Sequence, residues 1–130
     1  MRYLAPYLWV GLGGFVGANV RYLVANLARR LLGVGFPYGT FFINVSGSFA
    51  LGLVLAAVAE RAFPHADELR LALAVGFLGA YTTFSTYEYE CHALLKDGEW
   101  ALALANMFGS LLLGLVAVRL GIALGRHWPW

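Results

Sequence analysis

Four long stretches of this 130-residue chain contain no Asp, Glu, Lys or Arg, and each of them is strongly apolar. They run from Tyr3 to Val20, from Leu31 to Ala59, from Leu71 to Tyr87 and from Trp100 to Val118. A bilayer-spanning helix needs about 20 predominantly apolar residues, and only helices and closed barrels satisfy their backbone in lipid. The stretches lack the polar–apolar alternation of barrel strands. The sequence therefore predicts an all-α membrane protein with four transmembrane helices.

Composition argues against a soluble fold. Hydrophobic residues make up 61% of the chain and charged residues 12%, whereas soluble domains carry about 25% charged residues. A small soluble domain could not bury so much apolar surface, because its surface-to-volume ratio is high. We predict a single domain over 1–130, with helices at about 5–28, 38–60, 69–94 and 100–124 in the lipid bilayer. The net charge of +2 is too small to indicate a nucleic-acid partner.

The third stretch is interrupted by hydroxyl residues in the segment GAYTTFSTYEYE, at 79–90. They are Thr82, Thr83, Ser85 and Thr86. Such side chains compete for backbone hydrogen bonds, so we predict that helix 3 is broken near its middle. Backbone freed in this way can coordinate cations through carbonyls and face anions with a half-helix N-terminus. Phe84, in the midst of the cluster, either packs in a kinked helix or turns its positive ring edge toward an anion.

Helices 2 and 4 each carry a polar face. Thr40, Asn44, Gly47 and Ser48 fall at i, i+4, i+7 and i+8 on one side of helix 2. Asn106 and Ser110 share a similar stripe on helix 4. An asparagine in lipid is costly unless it is satisfied. Asn44 therefore either bonds another helix for packing or lines a polar path.

Helix 1 is rich in glycine. The run GLGGFVGANVRY is not a dinucleotide-binding loop, because no strand precedes it and no acidic residue follows about 20 positions on. Gly13 and Gly17 have the spacing that lets membrane helices approach closely. Arg21 lies further along the same helix, where it either snorkels to the interface or holds a buried network together.

Basic residues are almost evenly divided between the two predicted sides of the membrane. One side carries Arg2, Arg61, Arg70 and Arg126, and the other carries Arg29, Arg30 and Lys96. Because lysine and arginine asymmetry sets orientation, two interpretations remain open. The chain inserts both ways and pairs as an antiparallel homodimer, or a signal outside the charge pattern sets one orientation.

Residues typical of catalysis or metal binding are scattered. Cys91 is the only cysteine, so it has neither a disulfide partner within the chain nor a second thiolate ligand. His65, His92 and His127 lie far apart, and none is in the middle of a span. We therefore do not expect an enzyme.

Taken together, these motifs resemble those of the Fluc family of fluoride channels, also called CrcB or camphor-resistance proteins. The resemblance covers nearly the whole chain and rests on GGFVGANVRY in helix 1, GTFFINVSGSFALG in helix 2 and GFLGAYTTFSTYEYE in helix 3. It implies dual-topology, antiparallel homodimers with two pores at the subunit interface. It also implies a structural sodium ion on the dimer axis, bound by the backbone carbonyls of Gly79 and Thr82.

The resemblance further implies pore residues. Asn44 matches the family's pore asparagine, and Phe84 matches the first of two aromatic residues whose edges face fluoride. Tyr87 stands at the second position, usually phenylalanine, so its hydroxyl is free to bond the ion, a neighbour or water. The other expected pore residues are Thr40, Ser48, Ser85, Thr86, Glu90, Ser110 and Arg21. The amide and hydroxyl side chains of this set are expected to donate hydrogen bonds to a dehydrated fluoride ion.

The resulting prediction is a passive, fluoride-selective channel in the cell inner or plasma membrane, which exports fluoride and lowers its toxicity in the cytoplasm. A small multidrug-type exporter of dual topology is an alternative, but such carriers need a carboxylate in helix 1, and none occurs there. An accessory membrane subunit is another alternative, but it gives no reason for the TTFST cluster.

Overall fold

The computed structural model describes residues 3–60 and 64–127, and every regular element within them is helical. The elements are α1 (Ala5–Leu32), α2 (Tyr38–Glu60), α3 (Ala66–Leu69), a π-helical segment (Arg70–Leu78), α4 (Gly79–Tyr81), α5 (Phe84–Lys96) and α6 (Trp100–His127). The predicted all-α class is confirmed. Arg2 and Arg61, which entered the comparison of the two membrane sides, lie outside the described residues.

Three helices are long and apolar enough to cross a membrane. They are α1, the Tyr38–Ala59 part of α2, and α6, with 28, 22 and 28 residues. Their outer faces carry large apolar side chains, such as Phe15, which is 72% exposed, and Leu111, which is 58% exposed. A surface of this kind suits lipid rather than water. The third predicted span is assembled from several shorter helical elements.

The outer helices are longer than predicted. α1 continues to Leu32 rather than ending near residue 28, and α6 continues to His127 rather than ending near residue 124. The last turn of each helix carries two basic residues, which the negative end of the helix dipole favours. α1 ends where Gly33 adopts a positive φ of 82°. Apolar runs predict the part of a helix within lipid, but they do not mark where its last turn stops.

Helix 3 also begins earlier than predicted, at Ala66 rather than near residue 69, and its last part continues to Lys96 rather than residue 94. Asp67 and Glu68 lie in its first turn, where negative charge is favourable. A backbone hydrogen bond and, next, the ring of His65 lower the pKa of Glu68 below its ordinary value.

The predicted break in helix 3 is confirmed, and it falls between α4 and α5. Thr82, with φ −76° and ψ 156°, and Thr83, with φ −149° and ψ 114°, are both extended. Thr83 is the N-cap of α5, because its hydroxyl oxygen accepts a hydrogen bond from the Thr86 N–H at 3.4 Å. Capping of this kind satisfies one of the N–H groups left without partners at the start of a helix.

Close helix packing holds the broken helix against α1. A Cβ atom added at Gly13 would collide with the carbonyl oxygen of Ala72, and one added at Gly17 with that of Phe77. The predicted role of this glycine pair is therefore confirmed. On the other side, α2 packs extensively against α6. The break thus lies between the α1 and α6 sides of the bundle, next to the middle of α2.

Candidate functional site

A cavity of about 590 Å³ opens beside the helix break, and we call it the break cavity. Its walls come from α2, the end of the π-helical segment, the break, α5 and α6. The predicted site residues that line it are Asn44, Ser48, Gly79, Thr82, Phe84, Tyr87 and Ser110. The structure therefore brings together polar residues from helices 2 and 4 with the aromatic residues that follow the break.

Asn44 holds the break in place through both ends of its side-chain amide. Its Nδ2 donates to the Thr83 carbonyl at 3.0 Å, and its Oδ1 accepts from the Thr83 N–H at 2.9 Å. These two bonds replace helical hydrogen bonds that the extended backbone of Thr83 cannot make. One hydrogen of Nδ2 remains for another acceptor, because a primary amide has two. The structure thus bears out the interpretation that Asn44 bonds another helix, and it places Asn44 in the wall of the break cavity.

The break also removes donors from backbone carbonyls. In a continuous helix the Thr83 N–H would donate to the carbonyl of Gly79, four residues earlier, but here it donates to Asn44. The Thr82 N–H and hydroxyl both donate to the Leu78 carbonyl, at 3.1 and 2.9 Å. The carbonyl of Gly79 therefore loses its helical partner at the wall of the break cavity.

The N-terminus of α5 faces the same region. Phe84 and Ser85 are its first two residues, and the first N–H groups of a helix have no partner within it. Together with the helix dipole, such groups favour an anion. α5 has 13 residues, which is enough for several turns behind this end. The break thus brings a carbonyl that has lost its helical donor and the first N–H groups of α5 to the same region.

Phe84 and Tyr87 form an aromatic pair on the cavity wall. Their ring centroids are 5.9 Å apart, and the ring planes are inclined by 39°. The Tyr87 hydroxyl donates to the Met107 carbonyl of α6 at 3.3 Å. The sequence left three partners possible for this hydroxyl, namely the ion, a neighbouring residue or water. The structure shows a hydrogen bond to a neighbouring residue. Tyr87 therefore presents its ring to the cavity, much as a phenylalanine would.

Two of the expected hydroxyl donors are already engaged within the protein. Ser48 donates to the Asn44 carbonyl at 2.7 Å, one turn earlier in α2. Ser110 donates to the side-chain oxygen of Asn106 at 3.2 Å, one turn earlier in α6. In this arrangement both serines present oxygen lone pairs, and no hydroxyl hydrogen, to the break cavity. The expectation that they donate there does not hold for this arrangement, because short serine side chains bond readily within their own helix.

Five other predicted site residues do not line the break cavity. Ser85 and Thr86 are exposed in the first turn of α5, and the Thr86 hydroxyl accepts from Thr83 at 2.9 Å. Arg21 lies on α1, whereas the wall is built from the elements beyond α1. Thr40 and Glu90 lie at another site.

That other site is a cavity of about 240 Å³ near the loop between α1 and α2, and we call it the loop cavity. Thr40 donates to Oε1 of Glu90 at 2.8 Å, and both residues line it. Oε2 of Glu90 is buried and has no hydrogen-bond partner among the described residues. Arg29 and Asp97 lie on the same wall. The two polar clusters predicted as one pathway therefore belong to two cavities.

A family model described as "CrcB-like protein, Camphor Resistance (CrcB)" matches residues 8–122. The chain belongs to the CrcB family. It is 47% identical to a relative from Solibacter usitatus, over 93% of this chain and 98% of that one. It is also 48% identical to a relative from Prosthecochloris aestuarii, over 93% of both chains, and 46% identical to one from Koribacter versatilis, over 88% of this chain and 90% of that one. Each of these relatives is named "Fluoride-specific ion channel FluC".

The expected resemblance to CrcB proteins is thus confirmed, but sequence reasoning missed some residues that shape the site. Thr83 was named as one of the hydroxyl residues that break helix 3, but not as a site residue or an N-cap, although a threonine just before a helical run is a recognisable N-cap signal. Asn106 is 0% exposed and bonds both Ser110 and Cys91. Its spacing of four residues from Ser110 was visible, but its second partner lies on another helix. Glu88, which was not among the expected pore residues, lines the break cavity, whereas Glu90 lines the loop cavity.

Proposed function

We propose that this CrcB protein is a passive, fluoride-selective channel that exports fluoride across the cell inner or plasma membrane and so lowers its toxicity in the cytoplasm. Support comes from relatives named fluoride-specific ion channels, which match this chain at 42–48% identity over about nine-tenths of its length. Three helices suited to a membrane provide the scaffold.

The observation that carries the proposal is the chemistry of the break cavity. Fluoride holds its water tightly, so a pore that strips this water must return hydrogen-bond donors. The free hydrogen of the Asn44 amide and the first N–H groups of α5 are suitable donors. The rings of Phe84 and Tyr87 add weak contacts through their positive edges. Several weak contacts suit conduction, because an ion must also leave each site.

The pathway that we propose joins both cavities. An ion passes Asn44, Ser48, Phe84, Tyr87 and Ser110 in the break cavity, and it passes Thr40 and Glu90 in the loop cavity. Ser85 and Thr86, at the start of α5, lie beside this route, and Arg21 attracts anions toward it.

We propose further that the functional unit is an antiparallel homodimer of dual topology, in which the broken helix completes a four-span subunit. Two features of the single chain support this. The side chain of Phe84 is 74% exposed, and Gly79 is also exposed at the break. A second copy would cover both, and near-equal numbers of basic residues on the two sides permit either orientation.

A structural sodium ion fits the residues at the break. The Gly79 carbonyl has lost its helical N–H donor to Asn44, and the carbonyl of Thr82 lies at the end of the same extended turn. Neutral carbonyl oxygens at a helix break are suitable ligands for Na⁺. When bound, the ion would supply positive charge to hold two inverted subunits together. In the proposed dimer these two residues of each subunit would hold it.

A proton-coupled exporter of organic cations is disfavoured by α1. No Asp or Glu occurs in its sequence from Ala5 to Leu32, and such a carrier needs a carboxylate in its first span.

The proposal is tested by fluoride release from liposomes that contain the purified protein, measured with a fluoride electrode. Rapid loss of trapped fluoride is expected, with little loss of chloride under the same conditions. Protein-free liposomes are the control for leakage. Absence of fluoride release from well-folded protein would overturn the proposal, and proton-coupled uptake of an organic cation would favour the exporter.

A further inference from the structure

A chain of three side chains leads from the break cavity into the protein. Ser110 lines the cavity and donates to Oδ1 of Asn106 at 3.2 Å, and Nδ2 of Asn106 donates to Sγ of Cys91 at 3.2 Å. Asn106 is 0% exposed and Cys91 is 4% exposed. The chain thus connects α6 with α5 through groups that are shielded from water.

The direction of these bonds is the reverse of what an anion requires. The hydrogen of Ser110 points to Asn106, so the serine offers only oxygen lone pairs to the cavity. A fluoride ion would meet an acceptor where it needs a donor. The proposed function, on which this inference rests, therefore asks for a second arrangement of the same groups.

Such an arrangement exists because each member of the chain can donate and accept. If the Asn106 amide turns by half a revolution, its oxygen and nitrogen exchange places. The Cys91 S–H then donates to Oδ1, Nδ2 donates to the Ser110 oxygen, and the Ser110 hydrogen is released toward the cavity. No buried polar group loses its partner in either arrangement, which avoids the cost of an unsatisfied buried group.

We propose that Cys91 and Asn106 are positioning residues, which reverse a hydrogen-bond chain so that Ser110 becomes a donor when an anion enters the break cavity. Asn106 supplies the two-ended amide, and Cys91, whose thiol also lies beside the Tyr87 hydroxyl, supplies a group that accepts from Asn106 in one arrangement and donates to it in the other. The reversal costs no net hydrogen bond within the protein, and it gives the incoming anion one more donor.

The thiol provides a direct probe, because the protein has one cysteine. Its S–H stretching band therefore reports on Cys91 alone in the infrared spectrum of the full-length protein in liposomes. On addition of sodium fluoride we expect the band to shift to lower frequency and gain intensity, because the S–H group becomes a donor. Equimolar sodium chloride is the control for ionic strength and should leave the band unchanged.

The Ser110→Ala variant distinguishes a response carried by the hydrogen-bond chain from a general effect of fluoride on the protein. It keeps Cys91 and Asn106 but removes the link to the cavity, so its S–H band should not respond to fluoride. An unchanged band in wild-type protein that still releases fluoride would overturn the hydrogen-bond chain and leave the channel function standing. An equal shift in Ser110→Ala, or with chloride, would also overturn it, whereas absence of fluoride release would overturn the channel function itself.

Two substitutions at Cys91 distinguish hydrogen bonding from packing. Cys91→Ser keeps a donor and an acceptor, and it should conduct fluoride at close to the wild-type rate. Cys91→Val fills the site but can neither donate nor accept a hydrogen bond. The loss of one hydrogen bond should reduce the rate of fluoride release by about threefold to tenfold. The opposite order, with valine near wild type and serine impaired, would show that Cys91 serves packing alone.

Discussion

Asn44 illustrates how one side chain can serve both the fold and the proposed path. The two bonds from its amide to Thr83, at 3.0 and 2.9 Å, hold the extended backbone where α5 begins. Its second amide hydrogen remains for the cavity. A substitution at this position therefore changes stability and conduction together, and the two effects have to be measured separately.

We expect Asn44→Asp to abolish fluoride release and to destabilise the protein. A carboxylate can still accept from the Thr83 N–H, but its second oxygen would face the Thr83 carbonyl in place of a donor. Leaving these groups unpaired costs about 1–3 kcal/mol. Fluoride-electrode traces and thermal unfolding in detergent measure the two effects.

Asn26→Asp is the matched control, since it makes the same change on α1, outside the break cavity and four residues before Arg30. It should conduct and unfold much like the wild type, because opposite charges four residues apart on a helix are compatible. Fluoride release by Asn44→Asp at the wild-type rate would place Asn44 outside the path.

Tyr87 can be tested by substituting phenylalanine, the residue that the resemblance leads us to expect at this position. Tyr87→Phe removes the 3.3 Å bond to the Met107 carbonyl but leaves the ring beside Phe84. Because the ring is the part presented to the cavity, we expect fluoride release to stay within about twofold of wild type, with a loss of stability of about 1 kcal/mol or less. Liposome efflux and thermal unfolding measure these. A large loss of fluoride release would show that the hydroxyl itself serves the ion.

At the level of elements, the sequence was most informative where a local rule decides the outcome. The cluster of Thr82, Thr83, Ser85 and Thr86 predicted the break because hydroxyls compete for backbone bonds within a few residues. The spacing of Gly13 and Gly17 predicted close packing for a similar reason. The π-helical winding of Arg70–Leu78 was not predicted, since the apolar run reads equally well as an ordinary helix.

Contacts between elements were less predictable. The bonds from Asn44 to Thr83 and from Tyr87 to Met107 depend on how α2 and α6 are rotated about their axes. Periodicity shows which residues share a face, but it does not show which backbone group that face will meet. For the same reason the sequence did not show that Thr40 and Asn44, one turn apart on α2, line different cavities.

The packing of α1 against the broken helix gives a prediction at this scale. We expect Gly17→Ala to lower the free energy of unfolding by about 1–3 kcal/mol, because the added methyl group would displace the backbone at Phe77. Thermal or denaturant unfolding in detergent measures it. Gly11→Ala is the matched control, since nothing lies within 4 Å of a Cβ atom at that position. Equal stability of the two variants would contradict the close contact.

At the scale of the whole molecule, the proposed dimer makes stability depend on sodium. If Na⁺ binds the carbonyls at the break, the folded protein should be stabilised as Na⁺ rises, by about 2.7 kcal/mol when its concentration reaches 100 times the dissociation constant. Melting temperatures in sodium and in N-methylglucamine at equal ionic strength provide the measurement. Identical melting in both solutions would speak against a structural sodium ion.

Dual topology is tested separately by tags. A tag at the N-terminus, and in another variant at the C-terminus, should be accessible from both sides of the membrane, because the basic residues on the two predicted sides are nearly balanced. Selective labelling of intact cells and of inverted vesicles measures this. Labelling of each terminus from one side alone would show that the chain has a single orientation.

The two opposed bonds between Asn44 and Thr83 have a mechanical consequence. Because the donor and the acceptor of this joint are both bonded to one side chain, any swing of α5 about it would break both bonds together, which opposes its use as a hinge. Carriers that expose their cargo to one side at a time move one group of helices against another around the binding site. A rigid joint instead suits an ion path that stays open at both ends, through which ions move down their concentration gradient.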